Sequence, residues 1–127
     1  MTNTMIDFPS IFTEEQLDYI GQSVVESARE VCGDRLRDVI LYGSYARGDF
    51  EEWSDVDIMI IADADDTECK HIDKEIDNQL GDLIFRMNLL LSTVVTPYER
   101  FVRMKEAYPY YRNVNEEGRR LCLTETV

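Results

Sequence analysis

The amino-acid sequence predicts an α+β protein, with a small mixed β-sheet and helices packed on it. Three observations support this prediction. The length of 127 residues suits one compact domain. A hydrophobic share of 44% is ordinary for a globular protein. Short β-branched runs also alternate with longer segments of helical periodicity. We therefore treat residues 1–127 as a single domain with the element order α-β-β-α-β-α.

The first predicted element is a long helix. Thr13 followed three residues later by Gln16 is the pattern of a capping box. Apolar residues then recur at helical spacing over residues 17–32, and Gly33 is a natural helix end.

Two strands come next, joined by a polar segment that contains glycine. Residues 39–42 are a short apolar run that ends at Gly43. Residues 56–61 are apolar apart from one aspartate, so both runs are typical of buried strands. The segment between them, residues 43–54, has room for a short helical turn.

The second half repeats the alternation. A helix is predicted to open near Thr67, and its apolar face would carry Ile72, Ile76, Leu80, Leu83 and Ile84. Residues 89–95 form a third strand-like run. Thr96 and Pro97 then indicate a helix start, because proline at the first helical position loses no needed hydrogen bond. A last short helix is expected around Val114.

The charge distribution excludes one class of function. The net charge is −13, and residues 49–82 hold 13 acidic and only 2 basic side chains. Broad nucleic-acid binding depends on lysine and arginine neutralising phosphates, so we do not expect it here. Most of the acidic run is expected to be a solvated surface.

The expected location is the cytoplasm. Cys32, Cys69 and Cys122 are odd in number and form no metal-binding pair, which favours buried reduced thiols. The first residues have no signal-peptide pattern, and no apolar run is long enough to span a bilayer. We therefore expect no membrane contact.

Paired carboxylates stand at the start of the second strand. Asp55 and Asp57 are two residues apart, so in a strand they point to the same face. Two neighbouring carboxylates repel each other unless a proton or cation lies between them. Oxygen ligands of this kind favour Mg²⁺ or Mn²⁺.

The turn after the first strand supplies a second candidate feature. Gly43 lets the backbone approach a ligand closely, and Ser44 opens a short helix whose amino terminus favours anions. An isolated Gly-Ser pair is more often a plain turn and helix cap. Its combination with Asp55 and Asp57 favours a site for a triphosphate beside a metal.

These residues resemble a known family. Gly43-Ser44-Tyr45-Ala46-Arg47-Gly48 together with Ser54-Asp55-Val56-Asp57 is similar to the signature of the minimal nucleotidyltransferases, a branch of the superfamily related to DNA polymerase beta. The resemblance implies a nucleotidyltransferase-like fold and transfer of a nucleoside monophosphate from an NTP to a hydroxyl. It implies that Asp55 and Asp57 bind metal and that Gly43 and Ser44 hold the triphosphate.

Two further positions carry expectations from the resemblance. Arg47 contacts phosphate or a protein substrate, or forms a surface ion pair, and the sequence leaves these alternatives open. The family usually has a third carboxylate on the next strand. In residues 85–95 the matching position is Asn88, which ligates metal weakly through its amide oxygen and accepts no proton at neutral pH. Asp82 lies nearby, but the helical pattern places it on the preceding helix.

The resulting functional expectation is a Mg²⁺-dependent nucleotidyltransferase that moves AMP from ATP to a separate macromolecule. By family resemblance, that acceptor is a toxin partner of the HEPN type, and the chain is its antitoxin. The alternative is a nucleotidyltransferase-like binding module with little or no activity, which Asn88 favours. The sequence gives no indication of the oligomeric state.

Overall fold

A computed structural model describes residues 11–122 of the chain. Within this range it contains one four-stranded sheet and helices packed on both of its faces. The strands are β1 Leu36–Tyr42, β2 Val56–Ala62, β3 Leu91–Pro97 and β4 Arg119–Arg120. The helices are α1 Glu14–Cys32, α2 Ser44–Arg47, α3 Asp66–Met87, α4 Tyr98–Met104 and α5 Pro109–Glu117.

The long helices begin at capping boxes. The Thr13 hydroxyl accepts from the Gln16 amide and the Gln16 side chain accepts from the Thr13 amide, as predicted. Asp65 and Glu68 form the same reciprocal pair before α3. These contacts satisfy amides that the first helical turn leaves without partners.

The sheet is mixed, with strand order β3-β2-β1-β4. β1 pairs with β2 and β4 in antiparallel fashion, whereas β2 and β3 are parallel and α3 crosses over between them. The α+β class expected from the sequence is confirmed.

Alternate residues of the central strands face two separate cores. One core lies under α1 and α3 and includes Val39 and Leu41 of β1 together with Ile58 and Ile60 of β2. The other lies under α4 and α5 and includes Ile40, Met59, Ile61, Phe101 and Val114. Burial on both faces explains why the strands read as continuous apolar runs.

Three details differ from the sequence expectation. β3 begins at Leu91 rather than residue 89, because α3 continues to Met87 and the Leu89 amide still donates to the Ile84 carbonyl. Pro97 is the last residue of β3 and the N-cap of α4, so the predicted helix starts one residue later than expected, at Tyr98. The two-residue strand β4 was not predicted, since so short a pairing has no periodicity to detect.

The three cysteines agree with the expectation from the sequence. Cys32, Cys69 and Cys122 are buried and free. Among the helices in the described range, none combines the length and apolar character needed to cross a membrane.

Candidate active site

The turn after β1 lies against the aspartate of β2. Gly43 has φ 77° and ψ −158°, a backbone region that is open essentially only to glycine. A Cβ atom built at this position would lie 2.3 Å from Oδ2 of Asp57. Glycine is therefore required here for two reasons, the backbone conformation and the proximity of the Asp57 carboxylate.

The short helix α2 is fixed by hydrogen bonds and by one buried tyrosine. The amides of Ala46 and Arg47 both donate to the Gly43 carbonyl at 3.1 Å. Tyr45 is fully buried and stacks on Phe50 with ring centroids 4.4 Å apart. Because Tyr45 packs in the core, it fixes the position of the Gly43-Ser44 turn at the end of β1.

Asp55 and Asp57 lie close enough to interact. Asp57 is the second residue of β2 and is half-buried, and Asp55 precedes the strand and is exposed. The pKa of Asp57 is raised, first by burial and then by the negative charge of Asp55, while Arg47 lowers it. The carboxylates therefore repel each other, as their spacing predicted.

This donor set fits a divalent cation that arrives with a nucleotide. The two carboxylates are hard oxygen donors whose mutual repulsion a cation relieves. Within residues 11–122, no group of three or more histidine, cysteine or acidic side chains is arranged to hold a metal. Mg²⁺ needs no such group, because it usually takes one or two carboxylates and completes its shell with water and substrate phosphates.

Arg47 is engaged in ion pairs at the edge of the site. Its Nε lies 3.1 Å from Asp49 and its Nη1 lies 3.7 Å from Glu117. Both pairs are exposed, so they stabilise the fold only weakly. The structure therefore contains the ion pair that the sequence allowed, in a position where the guanidinium also acts on Asp57.

The expected position of Asn88 is wrong. Asn88 does not lie on a strand, because it ends α3 in the left-handed conformation with φ 50° and ψ 48°. Its backbone amide donates to the carbonyls of Ile84 and Phe85. Asparagine tolerates this conformation better than most side chains, which explains the residue at this position without a catalytic role.

The residue that β3 places beside Asp57 is Ser92. In the parallel pairing of β2 with β3, Asp57 is in register with Ser92. Paired residues of adjacent strands point to the same face, so the exposed hydroxyl-bearing side chain lies on the Asp57 face. A serine hydroxyl accepts no proton at neutral pH and is a weaker metal ligand than a carboxylate.

A cleft next to the Gly43 turn was missed by the sequence reasoning. It has a volume of about 180 Å³ and lies between the end of β1, α2 and α5. The hydroxyls of Tyr42 and Tyr110 are 3.0 Å apart at its wall. Burial, the Tyr110 hydrogen bond and the charge of Asp57 raise the pKa of Tyr42, so this phenol stays protonated. Only the tyrosine-rich composition of residues 108–111 indicated it, and that pattern does not distinguish a cleft from core packing.

The comparison with known families agrees with this geometry. The sequence model of the nucleotidyltransferase domain family matches residues 25–122 of this chain. This range includes Gly43, Ser44, Asp55 and Asp57. The chain belongs to the nucleotidyltransferase domain family, as the motif had indicated.

Individual relatives extend this assignment. The chain is 39% identical over 85 residues to "Putative protein adenylyltransferase MJ0604" of Methanocaldococcus jannaschii, a match that covers 67% of this chain and 77% of that protein. A second protein of that organism, "Putative protein adenylyltransferase MJ1305", is 43% identical over 49 residues, which are 39% of this chain and 33% of the relative.

Solved structures share the fold at low sequence identity. A toxin–antitoxin crystal structure with AMP-PNP has a TM-score of 0.50 and 19% identity, and the match covers 80% of this chain and 71% of that one. A mutant of the MntA–HpeT toxin–antitoxin has a TM-score of 0.49 and 16% identity over the same shares. The first of these shares the fold described above.

Proposed function

We propose that this chain is a Mg²⁺-dependent nucleotidyltransferase that transfers AMP from ATP to a hydroxyl on a separate protein. The observation that carries the proposal is the contact between the Gly43-Ser44 turn and the Asp57 carboxylate, with Asp55 two residues away. This proximity supports the proposal that a triphosphate-binding turn lies beside a pair of metal ligands.

The proposed reaction is an in-line displacement at the α-phosphorus of ATP. The acceptor oxygen forms a bond to that phosphorus, the bond to the β-phosphate oxygen breaks, and pyrophosphate leaves with the electron pair. The turn at Gly43 and Ser44 orients the triphosphate, and Asp55 and Asp57 hold Mg²⁺. When bound, the cation neutralises charge on the phosphates.

Within residues 11–122, no third acidic side chain joins Asp55 and Asp57 to receive the proton of the acceptor hydroxyl. Ser92 is the side chain in register with Asp57, so the proton passes to solvent water in this proposal. We therefore expect slow transfer compared with an enzyme that has a general base at this position.

The proposed acceptor is a partner protein that the chain neutralises as an antitoxin. The M. jannaschii relative is named for protein adenylylation, which supports a protein acceptor and AMP as the transferred group. The fold neighbour bound to AMP-PNP is a toxin–antitoxin. The HEPN type of partner follows from the resemblance of the motif to the minimal nucleotidyltransferases.

A second candidate function is a nucleotide-dependent binding module without transfer. Ser92 is the observation that favours it, because the site then binds a metal nucleotide but lacks a proton acceptor. The two functions share the same fold and the same phosphate site, so only a transfer measurement separates them.

The transfer assay combines the chain, α-labelled ATP, Mg²⁺ or Mn²⁺, and the protein encoded next to it. We expect covalent label on a protein, and we expect Asp55→Asn and Asp57→Asn to reduce it by about 100-fold or more. Asp63→Asn is the matched control, since Asp63 is an exposed acid beyond the opposite end of β2. Absence of label with every NTP and both metals would reject transfer.

Ser92 variants then distinguish the two functions. Ser92→Asp should raise the rate of transfer, because it supplies a carboxylate beside Asp57. Ser92→Asn has nearly the same size without the charge and should not. If neither variant transfers AMP while ATP still binds, the binding module is the better description.

A further inference from the structure

Among residues 11–122, no strand pairs with the outer edge of β3. β3 is the terminal strand in the order β3-β2-β1-β4. Its seven residues, Leu91–Pro97, include no charged side chain, and its only proline is the last residue. Proteins usually protect a strand of this length with charges, proline or a bulge, because its free backbone groups pair readily with another chain.

The register shows which backbone groups are free. The Val56 amide donates to the Leu90 carbonyl at 2.8 Å, and Val56 is in register with Leu91. In a parallel ladder this geometry directs the amide and carbonyl of Ser92 and Val94 toward β2. The corresponding groups of Leu91, Thr93 and Val95 therefore point away from the sheet.

This edge begins at the candidate active site. Ser92, in register with Asp57, is the second residue of β3. Val94 lies on the same face and is 37% exposed. A strand added beside β3 would place alternate side chains on that face, about 5 Å from β3.

The surroundings of the edge are acidic. The Thr93 hydroxyl donates to Asp73 at 2.8 Å and to Asp77 at 3.3 Å, so two carboxylates of α3 lie directly behind the strand. Asp57 is in register with Ser92 near the start of β3, and Asp55 directly precedes β2. The segment 49–82, which supplies all four, has 13 acidic and 2 basic residues. A second copy of this chain would bring like charges together, whereas a basic segment is complementary.

We infer that the outer edge of β3 is a docking site for an extended, basic segment of the acceptor polypeptide. The segment pairs with Leu91, Thr93 and Val95 as an added strand and presents a hydroxyl side chain toward Asp55 and Asp57. The transfer step rests on the proposed function, but the docking does not. The substrate class is therefore an unfolded or looped peptide segment that is bound through its backbone.

Amide exchange measured by NMR tests the docking directly. The probes are ten-residue peptides that alternate arginine with valine and carry one central serine, threonine or tyrosine. Without peptide, the amides of Ser92 and Val94 should exchange slowly and those of Thr93 and Val95 quickly. Bound peptide should slow the second pair about tenfold or more and leave the first pair unchanged. Glutamine in place of arginine should weaken binding, and added salt should do the same.

A matched pair of variants tests the backbone contact. Thr93→Pro removes the outward amide, and proline is tolerated at an edge strand where that amide is free. Thr93→Val loses the same hydroxyl contact with α3 but keeps the amide. Peptide binding should fall about tenfold in Thr93→Pro relative to Thr93→Val. Circular dichroism of both variants verifies that the fold is retained; if Thr93→Pro unfolds, the exchange pattern alone decides.

The outcomes separate docking from transfer. If bound peptide protects the outward amides but no labelled product forms, the result supports docking at the β3 edge and counts against the proposed function. The docking is overturned if the partner protein is labelled while the outward amides stay unprotected. It is also overturned if both Thr93 variants bind the peptide equally. Failure of every peptide to protect the edge overturns it as well. Protection already present without peptide, together with a dimer in sedimentation, would assign the edge to a second copy instead.

Discussion

Replacement of Gly43 by alanine tests the contact on which the candidate site depends. The new Cβ would lie 2.3 Å from Oδ2, 3.2 Å from Cγ and 3.3 Å from Cβ of Asp57. The first of these distances is far below van der Waals contact, so the carboxylate or the turn has to move. Alanine would also have to adopt φ 77° and ψ −158°.

The cost has two parts. Holding a non-glycine residue in this backbone region costs about 1–3 kcal/mol. Crowding a packed contact adds about 1–3 kcal/mol. We expect Gly43→Ala to lower the free energy of unfolding by about 2–6 kcal/mol, a large share of the roughly 5–15 kcal/mol typical of a domain.

Two other glycines provide controls. Gly48 has φ 88°, but its Cβ would meet nothing within 4 Å, so Gly48→Ala should cost only the backbone term of about 1–2 kcal/mol. Gly81 lies inside α3 with open space around it. Gly81→Ala should stabilise the chain by about 0.5–1 kcal/mol. Urea unfolding followed by circular dichroism measures all three.

A double-mutant cycle isolates the contact itself. In an Asp57→Ala background the nearest clash is absent, so Gly43→Ala should cost about 1–3 kcal/mol less than in the original chain. Equal costs in both backgrounds would show that Asp57 does not require glycine at position 43. The proposed coupling of the turn to the metal ligands would then be refuted.

The remaining predictions concern stability. Asp73→Asn should stabilise the chain, because burial and the charge of Asp77 raise the pKa of Asp73 in the folded state. The gain in the free energy of unfolding should be full at neutral pH and vanish as the pH falls through that pKa. Because Asp77 is exposed, Asp77→Asn should raise the free energy of unfolding less when both variants are measured over the same pH range. Tyr45→Phe should cost about 1–3 kcal/mol in urea unfolding, because the buried hydroxyl accepts from the Phe12 amide at 3.2 Å; an unchanged value would show that this amide has another partner. Asn88→Ala should cost about 1 kcal/mol in thermal unfolding while Asn88→Gly is neutral, and equal losses would contradict its role as a left-handed helix end.

The order of elements was predictable because the signals are local. The capping pair Thr13 and Gln16 and the stop at Gly33 are read from adjacent residues, and the structure contains both. The carboxyl end of α3 was missed because the adjacent residues carry no such local signal. Residues 85–87 continue the helix to its end at Met87, although their composition does not distinguish helix from strand, so the third strand was started too early.

The candidate site also has a part that could be predicted from local spacing and a part that could not. The motif brought Gly43, Ser44, Asp55 and Asp57 together on spacing alone, and the structure places Gly43 against Asp57. Ser92 was not predictable, because its position depends on the register of two parallel strands separated by a whole helix. Local periodicity shows that a strand exists but does not fix its register.

Ser92 connects the electrostatics of the site to its chemistry. The repulsion that raises the Asp57 pKa is offset only in part by Arg47, since that guanidinium is shared with Asp49 and Glu117. A third carboxylate at position 92 would increase the repulsion in the free protein and, for the same reason, the affinity for a divalent cation. Under the proposed function, serine at this position reduces the repulsion in the free protein and weakens both cation binding and proton transfer. In the Ser92→Asp experiment, faster transfer together with a lower Mg²⁺ requirement would therefore indicate that position 92 affects both cation binding and proton transfer. Faster transfer at an unchanged Mg²⁺ requirement would indicate an effect on proton transfer alone.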